Sequence, residues 1–138
     1  MSFKTALWVV VIIFLFLFNN LLGQALGSLG RCRMAPLVEA KARLFTDCRG
    51  MTGQLITDVL GAGVITLGSN ILTPAPNLSP RLLSHELAHV SQYRLLGPLF
   101  LPVYGIANFA SWVNSLMYNQ DIHSGNIMEF WADSLVKP

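Results

Sequence analysis

The chain has 138 residues, of which 53% are hydrophobic and only 12% are charged, and its formal net charge is +2. This length accommodates one domain, or one domain together with a membrane segment. The positive charge is too small and too scattered for a nucleic-acid-binding surface, so we expect no nucleic-acid partner. The mean hydropathy of +0.53 places the sequence toward the membrane-associated end of protein compositions.

A long apolar segment occupies the start of the chain. No charged residue occurs between Thr5 and Gly30. The apolar run over residues 6–22 is long enough to cross a hydrocarbon core of about 30 Å at ~1.5 Å per residue. We therefore predict a retained transmembrane anchor in residues 1–30, followed by one domain in residues 31–138. A cleaved signal peptide is the alternative, because Lys4 gives the segment a basic start.

Positive charges follow this segment, and they bear on the orientation of the domain. They suit either attraction to anionic lipid head groups or an exposed linker and helix face. More positive charge follows the segment than precedes it, so we expect the domain to face the cytoplasm; a cleaved signal would reverse this. The positive charges that follow the segment are Arg31, Arg33, Lys41, Arg43 and Arg49.

The cysteines, Cys32 and Cys48, fit one disulfide in an exported domain or two thiols in the cytosol.

The next part of the chain combines a predicted helix with a predicted β-hairpin. Residues 36–45 have a helical composition with a proline in the first turn, and residues 46–53 form a turn-rich break. Residues 63–68 are typical of a short strand bounded by glycines, with residues 70–73 as its partner. The prolines in residues 74–80 exclude regular structure there, because they remove hydrogen-bond donors and fix φ.

The C-terminal half is predicted to be helical. Ser79 before Pro80 indicates the N-cap and first turn of a helix that ends at Gly97. Residues 95–120 carry no charge, but prolines and a glycine interrupt their start, which is unusual for a helix that spans a membrane. We expect these residues to form a helix buried against the anchor, or one half-inserted at the membrane surface. A loop over 121–126 and a terminal helix over 127–136 follow.

The first of these helices carries the motif His85-Glu86-Leu-Ala-His89. Residues four apart share a helix face, so both imidazoles can reach one metal ion. Glu86 stands where a carboxylate can accept a proton from a water held by that metal. The alternative is an exposed helix in which this spacing arises by chance.

Two acids on the terminal helix, Glu129 and Asp133, extend this pattern. They are four residues apart and therefore share a face. A catalytic zinc takes three protein ligands and keeps one open position, so Glu129 can be the third ligand. Asp133 can accept the N–H of a ligating histidine, preferably His85, and fix the orientation of its ring. Without the histidine pair, these acids would equally fit an exposed helix face.

The combined pattern of H-E-x-x-H and a downstream E-x-x-A-D resembles that of the gluzincin metallopeptidases, in particular the short minigluzincins. The resemblance implies a Zn²⁺ ion held by His85, His89 and Glu129, with Glu86 as the general base and a peptide or protein as the substrate. Most of the chain is also similar to small bacterial membrane-associated proteins that share its apolar N-terminus. That likeness implies the bacterial inner membrane as the location and the lipid bilayer as a partner.

The resemblance leaves one catalytic role open. Larger gluzincins place a residue that stabilises the transition state in a longer domain, whereas this chain ends soon after Asp133. The residue must then come from within, and His123 is the first candidate, followed by Tyr118 and Tyr104; an ordinary loop histidine is the alternative for His123.

Together these features predict an α+β, mainly helical protein. It comprises an N-terminal membrane helix and a small zincin-like domain with a short β-hairpin or edge strand and an H-E-x-x-H active-site helix. The expected function is that of a membrane-associated zinc metallopeptidase, and residues 64–67 could pair with an extended substrate if they lie at a sheet edge. The alternatives are a structural metal site without turnover, or an accidental motif.

Overall fold

A four-stranded sheet lies at the centre of the fold, which a computed structural model describes for residues 18–118 and 125–136. The strands are β1 (Arg33–Leu37), β2 (Ala42–Thr46), β3 (Ile65–Leu67) and β4 (Asn70–Leu72), in the order β1-β2-β4-β3. Two antiparallel hairpins are joined by the parallel pairing of β2 with β4. Helices surround this sheet, so the predicted α+β class is confirmed.

The first hairpin replaces the helix predicted for residues 36–45, and that prediction was wrong. β1 and β2 pair from Arg33 opposite Thr46 to Leu37 opposite Ala42. β2 also pairs with β4, and its residues Ala42 and Phe45 are buried. Hydrogen bonding on both sides and burial in the core therefore outweigh the helical composition of this segment.

The second hairpin agrees with the prediction from the sequence. β3 and β4 pair antiparallel, and Gly68 in the turn between them has a φ of +66°, which a glycine adopts without steric cost. β4 is fully buried, whereas β3 lies at the edge of the sheet. The residues between β4 and the next helix contain no regular structure, also as predicted.

The described chain begins in a helix, α1 (residues 18–29), that packs on the sheet through a face of small residues. Positions 19, 23, 27 and 30 are buried, and the last three of these are glycines. A Cβ at Gly27 would lie 2.6 Å from ring atoms of Phe45, and one at Gly23 would lie 2.9 Å from Asn70 Cβ. Residues 18–29 are thus part of the folded domain. The rest of the predicted anchor lies outside the described residues.

This close approach gives a testable prediction. Replacement of Gly27 by alanine is expected to lower the free energy of unfolding by about 1–3 kcal/mol, because the added methyl group collides with the Phe45 ring. Gly105→Ala is the matched control, since a Cβ there meets no atom within 4 Å. Denaturant unfolding of both variants in detergent tests this packing; equal stabilities would contradict it.

A disulfide joins Cys32 to Cys48, with the Cα atoms 4.2 Å apart. It connects the end of α1 to the residues after β2, and a bridge across a loop of this length contributes about 3 kcal/mol to stability. Disulfides persist in oxidising compartments. Of the two states that the sequence left open, the bonded one is present.

The remaining elements are helical. α2 (Gly50–Gln54) continues into a π-helical turn (Leu55–Val59), and α3 (Pro80–Leu96) ends in a 3-10 turn (Gly97–Leu99). The Ser79 side chain accepts a hydrogen bond from the Leu82 backbone N–H at 3.2 Å, and Gly97 has a φ of +58°, so both predicted ends of α3 are confirmed. α5 (Ile127–Leu135) lies within the predicted terminal helix.

Between them, α4 (Phe100–Tyr118) is more regular than its prolines suggested. Pro102 lies in the first turn, where a missing N–H breaks no helical hydrogen bond. In the described part of the chain, the helical stretch Pro80–Tyr118 is the one long and apolar enough, by length and composition, to cross a membrane. Its charged residues all lie in α3, so this character belongs to residues 95–118.

Three clusters of buried side chains hold these elements together. One lies between the sheet and α1, one between the sheet and α3, and one between α3, α4 and α5. Their central residues are Phe45, Ile56 and Leu72 in the first cluster, Ala42, Ile71 and Val90 in the second, and Tyr93, Phe100 and Met128 in the third. The third cluster lies beside the histidines of α3, and it positions α5 against them.

Candidate metal centre

The three residues that the sequence proposed as metal ligands come together between α3 and α5. His85 Nε2 lies 2.9 Å from Glu129 Oε2 and 3.1 Å from His89 Nε2. The third side of this triangle, from His89 Nε2 to Glu129 Oε2, measures 3.4 Å. One turn of α3 separates the two histidines, whereas Glu129 arrives from a helix far along the chain. The three side chains form a cluster that can hold a metal ion.

The spacing of these atoms fits a small divalent ion. A tetrahedral zinc with bonds of 2.0–2.1 Å keeps its ligand atoms about 3.3 Å apart. The observed separations of 2.9, 3.1 and 3.4 Å bracket that value. Little movement of the side chains is needed to bring all three atoms to bonding distance from one centre.

The second nitrogen of each imidazole is held by an acceptor. His85 Nδ1 lies 2.9 Å from Asp133 Oδ1, which is the contact expected from the sequence. His89 Nδ1 lies 2.9 Å from Gln92 Oε1, and the Gln92 amide is oriented by donating its Nε2–H to the Met128 carbonyl, also at 2.9 Å. With the proton of each ring on Nδ1, each Nε2 directs its lone pair at the centre of the triangle.

In this tautomer, three lone pairs converge on one point. Such a cluster is repulsive by itself and becomes favourable when a cation lies at its centre. Two imidazoles and one carboxylate are a ligand set that zinc accepts. The sequence analysis missed Gln92, although its position three residues after His89 places it on the neighbouring turn of α3.

Glu129 is held at its other oxygen by α4. The Tyr104 hydroxyl donates a hydrogen bond to Glu129 Oε1, and the Tyr104 ring packs edge-on against His89 with centroids 5.7 Å apart. Burial alone would raise the pKa of Glu129, but hydrogen bonds from His89 and Tyr104 and the nearby imidazoles together lower the pKa to about 2. The carboxylate is therefore ionised and available as a ligand at neutral pH.

Neighbouring groups also shift the pKa of His89. Burial by itself lowers the pKa of this imidazole, but hydrogen bonding with Glu129 and Gln92 outweighs burial and raises it. The centre thus attracts a positive charge, whether a proton or a metal ion, and the two compete for the same lone pairs.

Glu86 occupies a different environment beside this centre. Its side chain is buried, and its Oε2 accepts a hydrogen bond of 2.6 Å from the Thr66 hydroxyl on β3. Burial raises the pKa of Glu86, and the bond from Thr66 and the two imidazoles offset part of that rise. A carboxylate with a raised pKa is suited to accept and return a proton near neutral pH.

Of the two candidates within the described residues, Tyr104 and Tyr118, the first lies at the cluster. His123 lies outside the described residues. Tyr118 is exposed at the last described position of α4, about 21 Å from Tyr104 along the helix axis. Tyr104 is therefore the candidate that the fold brings to the metal ligands.

A cavity of about 910 Å³ borders the cluster at His85 and at Asp133. The start of α3 and the end of α5 line it. A cavity of this size accommodates several residues of a peptide.

Comparison of the chain with known protein families, with curated proteins and with solved structures finds no significant match. The assignment of a function therefore depends on the geometry of this site.

Proposed function

We propose that this protein is a membrane-associated zinc-dependent peptidase of the gluzincin type, with His85, His89 and Glu129 as the metal ligands. The observation that carries the proposal is the convergence of three potential ligand atoms, 2.9–3.4 Å apart, each on a side chain held by a further hydrogen bond. An exposed helix with accidental histidines would have no reason to bury His89 or to hold both Nδ1 atoms.

Residues of the chain supply proton transfer and stabilisation of the oxyanion. When bound, zinc supplies Lewis-acid polarisation and lowers the pKa of a coordinated water toward 7. Glu86 accepts the proton lost by the attacking water and delivers it to the leaving amine. Tyr104 holds Glu129 in place through the one proton of its hydroxyl. It can donate to the developing oxyanion only if that proton turns away from Glu129 Oε1.

The edge strand β3 offers a means of holding the substrate. It pairs with β4 on one side, and Thr66 at its centre contacts Glu86. An extended peptide that adds to the other side of β3 would lie along the strand nearest the general base. The substrate class that follows is an unfolded or extended polypeptide segment.

The membrane location is part of the same proposal. Exposed apolar side chains, among them Ile106, Phe109 and Trp112, cover α4, and residues 95–118 carry no charge. A bilayer would remove this surface from water. We place the protein at a bacterial inner membrane through its N-terminal segment, with the disulfide-bonded domain on the oxidising side.

The second candidate is a structural zinc site without turnover. Such a site closes its coordination shell with a fourth protein ligand. In residues 18–118 and 125–136 the cluster has three ligands, and Asp133 is directed at His85 Nδ1 rather than at the centre. Three ligands with one open position favour the catalytic alternative.

Metal content and hydrolysis, measured on the same protein, test the proposal. Wild type purified in detergent is expected to contain about one zinc per chain and to cleave peptides in a diverse mixture analysed by mass spectrometry. Removal of the metal with a chelator should abolish cleavage, and added zinc should restore it. One zinc per chain with no cleavage would instead support the structural site, and no zinc after reconstitution would contradict both.

Asp133 allows a graded test of the ligand set. Asp133→Asn is expected to weaken zinc affinity by about 10–100-fold, because an amide accepts the His85 N–H less strongly than a carboxylate. Asp58→Asn, an exposed acid that bonds only its neighbour Thr57 among the described residues, is the matched control. Competition with a chromogenic zinc chelator measures both, and equal affinities would exclude a role for Asp133.

A further inference from the structure

A second cavity, of about 540 Å³, lies at the disulfide, away from the candidate metal ligands. Three arginines and one aspartate line it, together with small residues and the disulfide itself. The charged residues in its wall are Arg31, Arg33, Arg49 and Asp47. This cavity plays no part in the proposed peptidase chemistry.

The disulfide brings these arginines together. Arg31 and Arg33 flank Cys32, and Arg49 follows Cys48, so the bridge, with its Cα atoms 4.2 Å apart, brings all three arginines to the wall of one cavity. The Arg49 backbone N–H also donates to the Gly30 carbonyl at 2.9 Å. The arginines therefore share a fixed scaffold, although they come from two segments of the chain.

The charges of the cavity are not balanced. Arg33 Nε lies 3.6 Å from Asp47 Oδ2, and no acid in the described part of the chain forms an ion pair with Arg31 or Arg49. The four side chains leave a net charge of +2, which equals the net charge of the entire protein. Crowding of like charges raises the free energy of the unliganded cavity, and an anion would lower it.

Two residues of the same wall adopt a left-handed backbone conformation. Arg31 has a φ of +46° and Asp47 a φ of +52°. This conformation costs a residue with a side chain about 1–2 kcal/mol. Arg31 adopts this conformation where α1 ends, and its backbone N–H donates to the Ser28 carbonyl at 3.1 Å.

We propose that this cavity binds a phosphate group, with Arg31 and Arg49 as its main ligands and Arg33 held in place by Asp47. Guanidinium groups pair with phosphate oxygens through two parallel hydrogen bonds, which makes arginine the preferred residue for this anion. The phosphate can belong to a soluble anion or to the head group of an anionic phospholipid. The cavity lies at the end of α1, whose twelve residues separate it from the N-terminal segment proposed as the membrane anchor.

The test uses the full chain in detergent and two probes. One is inorganic phosphate, titrated at constant ionic strength against chloride by calorimetry. The other is a set of mixed micelles containing phosphatidylglycerol or zwitterionic phosphatidylcholine, with the thermal unfolding midpoint as the readout. The double variant Arg31→Gln/Arg49→Gln is compared with Lys41→Gln/Arg43→Gln, which removes the same charge from exposed positions outside the cavity.

Binding of inorganic phosphate that is weakened about tenfold or more in the cavity variant, and within twofold of wild type in the control, would support the site. A response to phosphatidylglycerol alone, lost in the cavity variant only, would support it with a lipid head group as the source. Equal losses in the two variants would overturn it, because total charge would then explain the binding. Binding of neither probe by wild type would also overturn it.

Discussion

Replacement of Glu86 by glutamine is expected to reduce peptide hydrolysis by about 10²–10⁴-fold and to leave the zinc content unchanged. The amide is close in size to the carboxylate, and its oxygen can still accept the hydrogen bond from the Thr66 hydroxyl. It cannot accept the proton of the attacking water, so only the chemical step is lost. The ratio kcat/KM and the metal content, measured on one preparation, check this separation.

Glu39→Gln is the matched control for this variant. Glu39 is exposed in the turn between β1 and β2, so the same chemical change there should leave hydrolysis unaffected. A Glu86→Gln protein with full activity would exclude Glu86 as the general base. A loss of both zinc and activity would mean that Glu86 holds the metal, which the proposed ligand set does not allow.

Replacement of Glu129 by alanine is expected to weaken zinc affinity by more than about a hundredfold and to abolish hydrolysis with it. The change removes the third ligand and also leaves the Tyr104 hydroxyl and His85 Nε2 without their shared partner. Elemental analysis after dialysis and a chelator-competition titration measure the loss. The thermal unfolding curve of the metal-free protein shows whether the variant still folds.

Glu39→Ala again provides the control for a lost carboxylate. If Glu129→Ala bound zinc as tightly as wild type, the proposed triangle of ligands would be wrong. The search would then turn to His123, the remaining histidine, in variants with alanine at that position.

The parts of the fold that follow local rules could be predicted from the sequence. His85 and His89 share a face because four residues make about one helical turn. Ser79 and Pro80 begin α3 because a hydroxyl cap and a proline at the first position satisfy a helix start. The glycine-bounded hairpin of β3 and β4 is equally local.

The parts that depend on distant partners could not be predicted in this way. Residues 36–45 have helical composition, yet β2 pairs with β4, a strand more than twenty residues further along the chain. Nothing near Gly23 or Gly27 in the sequence shows that a β-sheet will lie against them. Among apolar neighbours, glycines of this kind suit a membrane segment and a close helix–sheet contact equally well.

The same distinction between local patterns and distant contacts applies to the candidate site. Two pairs could be predicted, His85 with His89 and Glu129 with Asp133, because each spacing is a property of one helix. The meeting of the two pairs depends on the contact between α3 and α5. The residues that orient them could be predicted only in part, since Tyr104 and Gln92 act through tertiary contacts with Glu129 and Met128. Composition indicated that carboxylates would lie among apolar side chains, but the tertiary contacts of Glu129 with His89 and Tyr104, which lower its pKa against the effect of burial, could not be read from it.

The shortness of α5 has a consequence for the lifetime of the protein. Its nine residues are fewer than the roughly 12–15 that an isolated helix needs to be stable in water, so its order depends on contacts with α3 and α4. A zinc ion bridging α3 and α5 would stabilise the docked form by about 4 kcal/mol at a free concentration a thousandfold above its dissociation constant. A shortage of zinc would therefore release the C-terminal end to proteases, and turnover of the protein would follow the zinc supply of its compartment.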